Sequence, residues 1–195
     1  MQSWNYILKE NIVISDIFKE FYHPIFNRKS LDFHWKILHR CIFTESKLKL
    51  MKKSDGICKL CKGNIETIIH LLYDCKHVKP VWENIQDLMD SIVDCNIMLN
   101  ITDIIFGVKA NDNLDSTESI MVNFIIFMTK WYIWKHRNDH KYGNIPIRKS
   151  DEMYKIIIRK CYEEVNMFLN SKYVNKNTDE FIGQIRDLED ILNSS

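Results

Sequence analysis

The chain has 195 residues, 46% hydrophobic and 27% charged, with a formal net charge of +1. That is enough chain to bury a core, and it is too rich in Ile, Leu, Val, Phe and Trp for a disordered segment. A total charge near zero gives no global attraction to a polyanion or an anionic membrane, and five Gly and three Pro disfavour a fold of many tight turns.

Residues 1–5 have neither the basic nor the apolar region of a secretory signal. The most apolar run, 120–128, is broken by Asn123 and falls far short of the ~20 residues a membrane helix needs. An intracellular chain, nuclear or cytoplasmic, is expected, with its cysteines reduced.

Periodicity predicts helices almost throughout. The first spans 15–26, capped by Ser15, with Ile17, Phe18, Phe21 and Tyr22 as its stripe until Pro24. A second opens at Ser30 and runs to about 41, with Leu31, Trp35 and Leu38 on one face. Thr44 caps a third, to about 52, burying Leu48 and Met51. Ser54, Asp55 and Gly56 signal a turn. Pro80 suits the first turn of a helix carrying Val81, Trp82, Ile85, Leu88, Met89 and Ile92. After a polar loop at 111–116, Ser116 with Glu118 opens a long apolar helix through Trp131 and Trp134 to about 141. Ser150 caps another over 151–170, with Met153, Ile156, Ile157, Val165 and Phe168 inside. Thr178 caps a last one, with Phe181, Ile185, Leu188 and Leu192 near heptad spacing. No segment alternates as a strand does. The expected fold is all-α, a helical domain of about seven helices with a small Cys3His zinc-knuckle insert.

The net charge conceals blocks: residues 28–62 sum to +7, 83–118 to −7, 129–160 to +6 and 163–190 to −4. The first block leads into Cys58, Cys61, His70 and Cys75, which read C-x2-C-x8-H-x4-C. Four soft or borderline ligands within eighteen residues suit tetrahedral zinc. Gly63 lets the chain turn after the first pair. Asn64 can cap a short helix that carries Ile68, Ile69 and Leu72 on its buried side and His70 near its end, with Cys75 just beyond. A closed set of four protein ligands leaves no position for an activated water, so the zinc reads as structural and no catalytic residue is assigned. Three other readings stay open: buried core cysteines with a core histidine, a catalytic Cys–His pair, and His77 in place of His70 or Cys75. Cys41, Cys95 and Cys161 have no partner spacing and read as packing residues.

The run from Phe33 to His39, Thr44 to Leu48, the Cys/His set and Val81-Trp82 together resemble the reverse-transcriptase zinc-binding domain of non-LTR (LINE-type) retrotransposon proteins. The most specific part is Glu66-Thr67-Ile68-Ile69-His70-Leu71-Leu72-Tyr73-Asp74-Cys75, similar to that family's E-T-x-x-H-L-[FL]-x-x-C signature. Trp131, Trp134, Arg137 and Asn138 are similar to a downstream Trp-x-x-Trp-x-x-Arg-Asn segment. The resemblance implies Zn2+ on Cys58, Cys61, His70 and Cys75 and a role on template RNA or target DNA. The chain has no polymerase signature, so it reads as a non-enzymatic, carboxy-terminal piece of such a protein, with the polymerase part of the parent as a further possible partner. Its organisation reads as an N-terminal helical segment (1–29), the zinc-binding module (30–95) and a C-terminal helical region (96–195).

Lys47, Lys49, Lys52, Lys53, Lys59 and Lys62 are the candidates for phosphate contact, with Lys135 and Arg137 at a second basic end. Trp35, Trp82, Trp131 and Trp134 sit on apolar stripes and read as core, not as stacking platforms. The alternative function is a protein-interaction or structural scaffold with a structural zinc, its charged blocks pairing with each other or with a partner.

Overall fold

The longest apolar stretch of the sequence becomes the axis of the fold. The structure, a computed structural model, describes residues 4–8, 21, 23–93, 97–110, 114–171, 183, 186 and 189–193. Its elements are α1 (Trp4–Leu8), α2 (Arg28–Leu38), α3 (Glu45–Leu50), a π-helical turn (His70–Asp74), α4 (Lys79–Ile92), α5 (Ile101–Phe106), α6 (Ser116–Gly143) and α7 (Ser150–Leu169). With helical residues 189–193, the described residues hold nine helical segments, where the sequence predicts about seven. They contain no strand, and Ile57 and Ile65 form an isolated antiparallel bridge. None of these helices is long and apolar enough to cross a membrane.

Residues 121–130 of α6 are all buried, so this helix is enclosed on every side for more than two turns. α2 and α7 pack against it, and α4 packs against α7. Phe33 of α2 meets the rings of Trp131 and Trp134 at centroid distances of 5.6 and 5.5 Å. Asp115, not Ser116, caps α6: its carboxylate accepts from the Thr117 and Glu118 N–H groups, and Glu118 accepts from the Asp115 N–H in return. Glu118 lies three residues after Asp115 and only two after Ser116, and the reciprocal box needs three.

α5 has no counterpart among the predicted helices. Six residues are too few to show a period, although Asn100 and Asp103 form the same kind of box. The Asn123 that interrupts the apolar run of α6 anchors the chain after α5. It accepts from the Val108 N–H at 2.9 Å and donates to the Val108 carbonyl at 2.8 Å.

Three predicted core positions are corrected. Trp35 and Met51 are each 45% exposed, and Cys41 is exposed. The buried face of α2 is Ser30, Phe33, His34, Ile37 and Leu38, which keeps helical spacing but is rotated from the predicted stripe because His34 takes an interior place. Trp82 and Cys161 are buried, and Trp131 and Trp134 half-buried. Within the predicted helix at 15–26, residues 15–20 and 22 lie outside the described residues, and residues 24 and 25 form a turn. Thr178, Phe181, Ile185, Leu188 and Cys95 also lie outside, while Leu192 is buried in the core.

Candidate metal centre

The first two candidate ligands sit on a tight backbone loop. The Cys58 N–H donates to the Asn64 carbonyl at 2.8 Å and the Lys62 N–H to the Cys58 carbonyl at 2.9 Å. The turn is made at Lys62, whose φ is 56°, and not at Gly63. Lysine accepts that left-handed backbone at a cost, and its side chain stays exposed. Asn64 is spent on this loop, so the following helical segment is capped by Thr67, whose Oγ1 accepts from the His70 N–H at 3.0 Å.

The other two candidates depend on the π-helical turn. In an α-helix, residues five apart stand about 140° apart around the axis. The wider π turn, closed by the Cys75 N–H donating to the His70 carbonyl at 2.9 Å, lessens that angle and brings His70 and Cys75 to one side. Trp82 of α4 pins the turn by donating its indole N–H to the Leu72 carbonyl at 2.7 Å.

The ligand atoms of Cys58, Cys61, His70 and Cys75 all lie within 4.8 Å of one another. Cys58 Sγ is 4.0 Å from Cys75 Sγ, and Cys61 Sγ is 3.3 Å from His70 Nε2. A tetrahedral zinc with Zn–S bonds of about 2.3 Å sets its sulfurs about 3.8 Å apart, so these spacings suit that ion. The chemistry agrees. The hydrogen bond between the Cys58 and Cys75 sulfurs pushes the Cys58 thiol up, with burial adding to it, and pulls Cys75 down. The Cys61 and Leu60 N–H groups face the Cys58 sulfur, and the His77 N–H faces that of Cys75, each favouring thiolate. Burial lowers the His70 pKa, which keeps the imidazole neutral, as a ligand must be. His77 is not among the four clustered groups.

A buried ion cluster lies behind the knuckle. Arg137 of α6 is fully buried, and its Nη2 reaches Glu45 Oε1 at 2.6 Å and Glu66 Oε1 at 2.5 Å. Arg137 Nε also donates to Glu66 Oε2 at 3.3 Å, which makes a two-pronged pair. Glu66 accepts from the Glu45 N–H at 3.0 Å and the Lys59 N–H at 3.4 Å, tying α3 to the loop of Cys58 and Cys61. Burial pushes the Glu45 carboxyl up. Hydrogen bonds from Lys141 and Ser54, with the charge of Arg137, more than reverse this and leave it below its ordinary value. The sequence reading missed this cluster. The sequence carries a signal for Arg137 alone, which shares one helical stripe with Ile126, Lys130 and Ile133, and none for its two carboxylate partners.

Arg137 is therefore not available to an external phosphate, which corrects its assignment. Lys49, Lys52, Lys53 and Lys62 are exposed and make no ion pair among the described residues. Lys59 pairs with Asp55 at 3.0 Å and reaches Glu45 at 3.6 Å. Lys47 Nζ donates to the Arg40 carbonyl at 3.0 Å, and Lys135 pairs with Asp139 at 2.8 Å on the far part of α6.

Residues 1–82 match the model of a family described as zinc-binding in reverse transcriptase. The match contains all four clustered groups, Glu45 and Glu66, and ends in the first turn of α4, before Arg137. No curated protein and no solved structure matches the chain.

Proposed function

We propose that this chain is the zinc-binding module of a non-LTR (LINE-type) retrotransposon reverse transcriptase, a carboxy-terminal piece without catalytic residues that binds RNA or DNA inside the cell. Cys58, Cys61, His70 and Cys75 hold one structural Zn2+, which cross-links the loop to the π-helical turn. Residues 30–95 form the module, flanked by residues 1–29 and 96–195. The observation that carries the reading is the juxtaposition of the four-ligand cluster with exposed lysines, without an ion pair among the described residues, on the same loop and on the preceding helix.

Three thiolates and a neutral imidazole give the zinc site a net charge of −1, so the positive face belongs to the lysines alone. Lys49, Lys52, Lys53 and Lys62 contact phosphates, and Lys47, Lys59 and Lys135 do so by exchanging their present partners. Such contacts position a strand and read no bases.

The test is binding of a single-stranded oligonucleotide to zinc-loaded protein across a salt series. Replacing Lys49, Lys52, Lys53 and Lys62 by Gln should flatten the log–log salt slope by about 3, as loss of four phosphate contacts on a single strand requires. A flat titration at low salt would sink the reading in favour of a scaffold whose zinc serves only its fold.

A further inference from the structure

A second site lies on the other side of the metal-bearing segment. Between α1 and α3 is a cavity of about 420 Å³, and one wall is the stretch Thr67 to Ile69 that leads into His70. Among the described residues its lining includes two cations, Arg40 and Lys47, and no carboxylate. Arg40 Nη1 is buried and has no hydrogen-bond partner. A guanidinium nitrogen left so costs free energy that an incoming acceptor would recover. Burial pushes the Arg40 pKa down, the same penalty in another form. The guanidinium carbon stands 5.6 Å from the centroid of the Trp4 ring.

The rest of the lining has two characters. The Thr44 and Ser46 hydroxyls are hydrogen-bonded to each other at 3.0 Å, and Thr44 Oγ1 also accepts from the Lys47 N–H at 3.4 Å. Trp4 and Ile42, each 4% exposed, and the half-buried Ile69 form the apolar part of the wall. Cations and hydroxyls suit phosphate oxygens, and the apolar surface suits the flat body of a base. The volume admits one unstacked nucleotide and not a duplex groove.

We propose that this cavity seats one phosphate-bearing nucleotide unit, its phosphate on Arg40 and Lys47 and its base against Trp4. This rests on the reading of the chain as a nucleic-acid-binding module and gives that module a fixed seat for one unit of the strand.

The experiment uses the full zinc-loaded chain. Thymidine 5′-monophosphate is titrated while the Trp4 indole N–H resonance, assigned with Trp4→Phe, is followed. The monophosphate should shift that resonance, with thymidine binding at least ten-fold more weakly. Arg40→Gln should weaken the monophosphate at least ten-fold, and Arg40→Lys should keep part of the affinity. Should Arg40→Gln fail to fold, Lys47→Gln carries the same expectation. Equal affinity in wild type and the Gln variant, or no response at Trp4, overturns the proposal, as does a phosphotyrosine peptide that binds more tightly than the nucleotide. A twelve-residue oligothymidine is measured in parallel by anisotropy. Strand binding that is insensitive to Arg40→Gln removes the seat and leaves the module. Nucleotide binding without strand binding keeps the seat and removes the module.

Discussion

Arg137 and Lys130 are both fully buried cations on one stripe of α6, yet their surroundings give them opposite energetics. Arg137 faces two carboxylates, so its removal leaves two buried anions with only Lys141 and Lys59 near by. Arg137→Met is expected to destabilise the protein by about 3–5 kcal/mol, read as a fall in the denaturant midpoint. Among the described residues no carboxylate pairs with Lys130: its Nζ lies 2.8 Å from His34 Nδ1 and 3.4 Å from the Ile105 carbonyl. Burial lowers its pKa well below 10.5, so the unfolded chain takes up a proton that the folded chain does not. Stability is therefore lost as pH falls below 10.5. Lys130→Met removes that loss at the cost of about 1 kcal/mol for the hydrogen bond. Its melting temperature relative to wild type should therefore be higher at pH 7 than at pH 10. A drop at pH 7 comparable to that of Arg137→Met would refute this account of Lys130. The contrast also marks what a sequence can tell at this scale. The four candidate ligands are legible because their spacing is local. The partners of Arg137 lie 71 and 92 residues away, and no local pattern joins them.

At the scale of elements, the helices with a full apolar stripe, α4, α6 and α7, lie close to where periodicity puts them. The departures occur where two local rules compete or where the element is too short for a period. Asp115 and Ser116 both suit a cap, and the reciprocal partner decides. Gly63 and Lys62 both stand at a turn, and the hydrogen bond from Lys62 to Cys58 decides. The joint between α6 and α7 shows what such detail does. Arg148, just ahead of α7, donates its backbone N–H to His136 Nε2 at 3.3 Å and has Nη1 3.0 Å from His136 Nδ1. Burial, then the charges of Arg148 and His140, push the His136 pKa down to about 4, with Asp139 opposing and His77 adding slightly. A histidine depressed from 6.5 is neutral in the fold while its unfolded form is charged, so stability is intact above pH 6.5 and falls as pH drops towards 4. The loss is at most about 3 kcal/mol. His136→Gln should show a shallower decline in denaturant midpoint across that window than wild type. Both proteins carry the same candidate metal site, so the difference between them isolates His136, and parallel curves would count against it.

At the scale of the molecule, the pattern E-T-x-x-H and the pattern Arg-Asn prove to be two ends of one contact. Glu66 binds the guanidinium of Arg137 and, through its own carboxylate, the backbone of α3 and of the loop between Cys58 and Cys61. Groups that orient ligands from one layer out typically change metal affinity by about 10–100-fold when removed. The family match ends at residue 82, while this support comes from residue 137. A fragment of residues 1–95 keeps every candidate ligand and loses α6. It should surrender zinc to a chelator at least ten-fold faster than the full chain, and its Glu45 and Glu66 should lose their buried cation. Arg137→Met in the full chain should move zinc release in the same direction while α6 still packs through Phe124, Ile125 and Phe127, which separates loss of the guanidinium from loss of the helix. Zinc release from the fragment at the full-chain rate would mean that the loop and the π-helical turn hold their geometry alone. Stripping the zinc from the full chain should unfold the loop around Cys58 and Cys61, since metal-binding energy at such a site is felt as folding energy. The α6–α7 pair, whose core contacts do not pass through the ligands, should keep its helical circular dichroism.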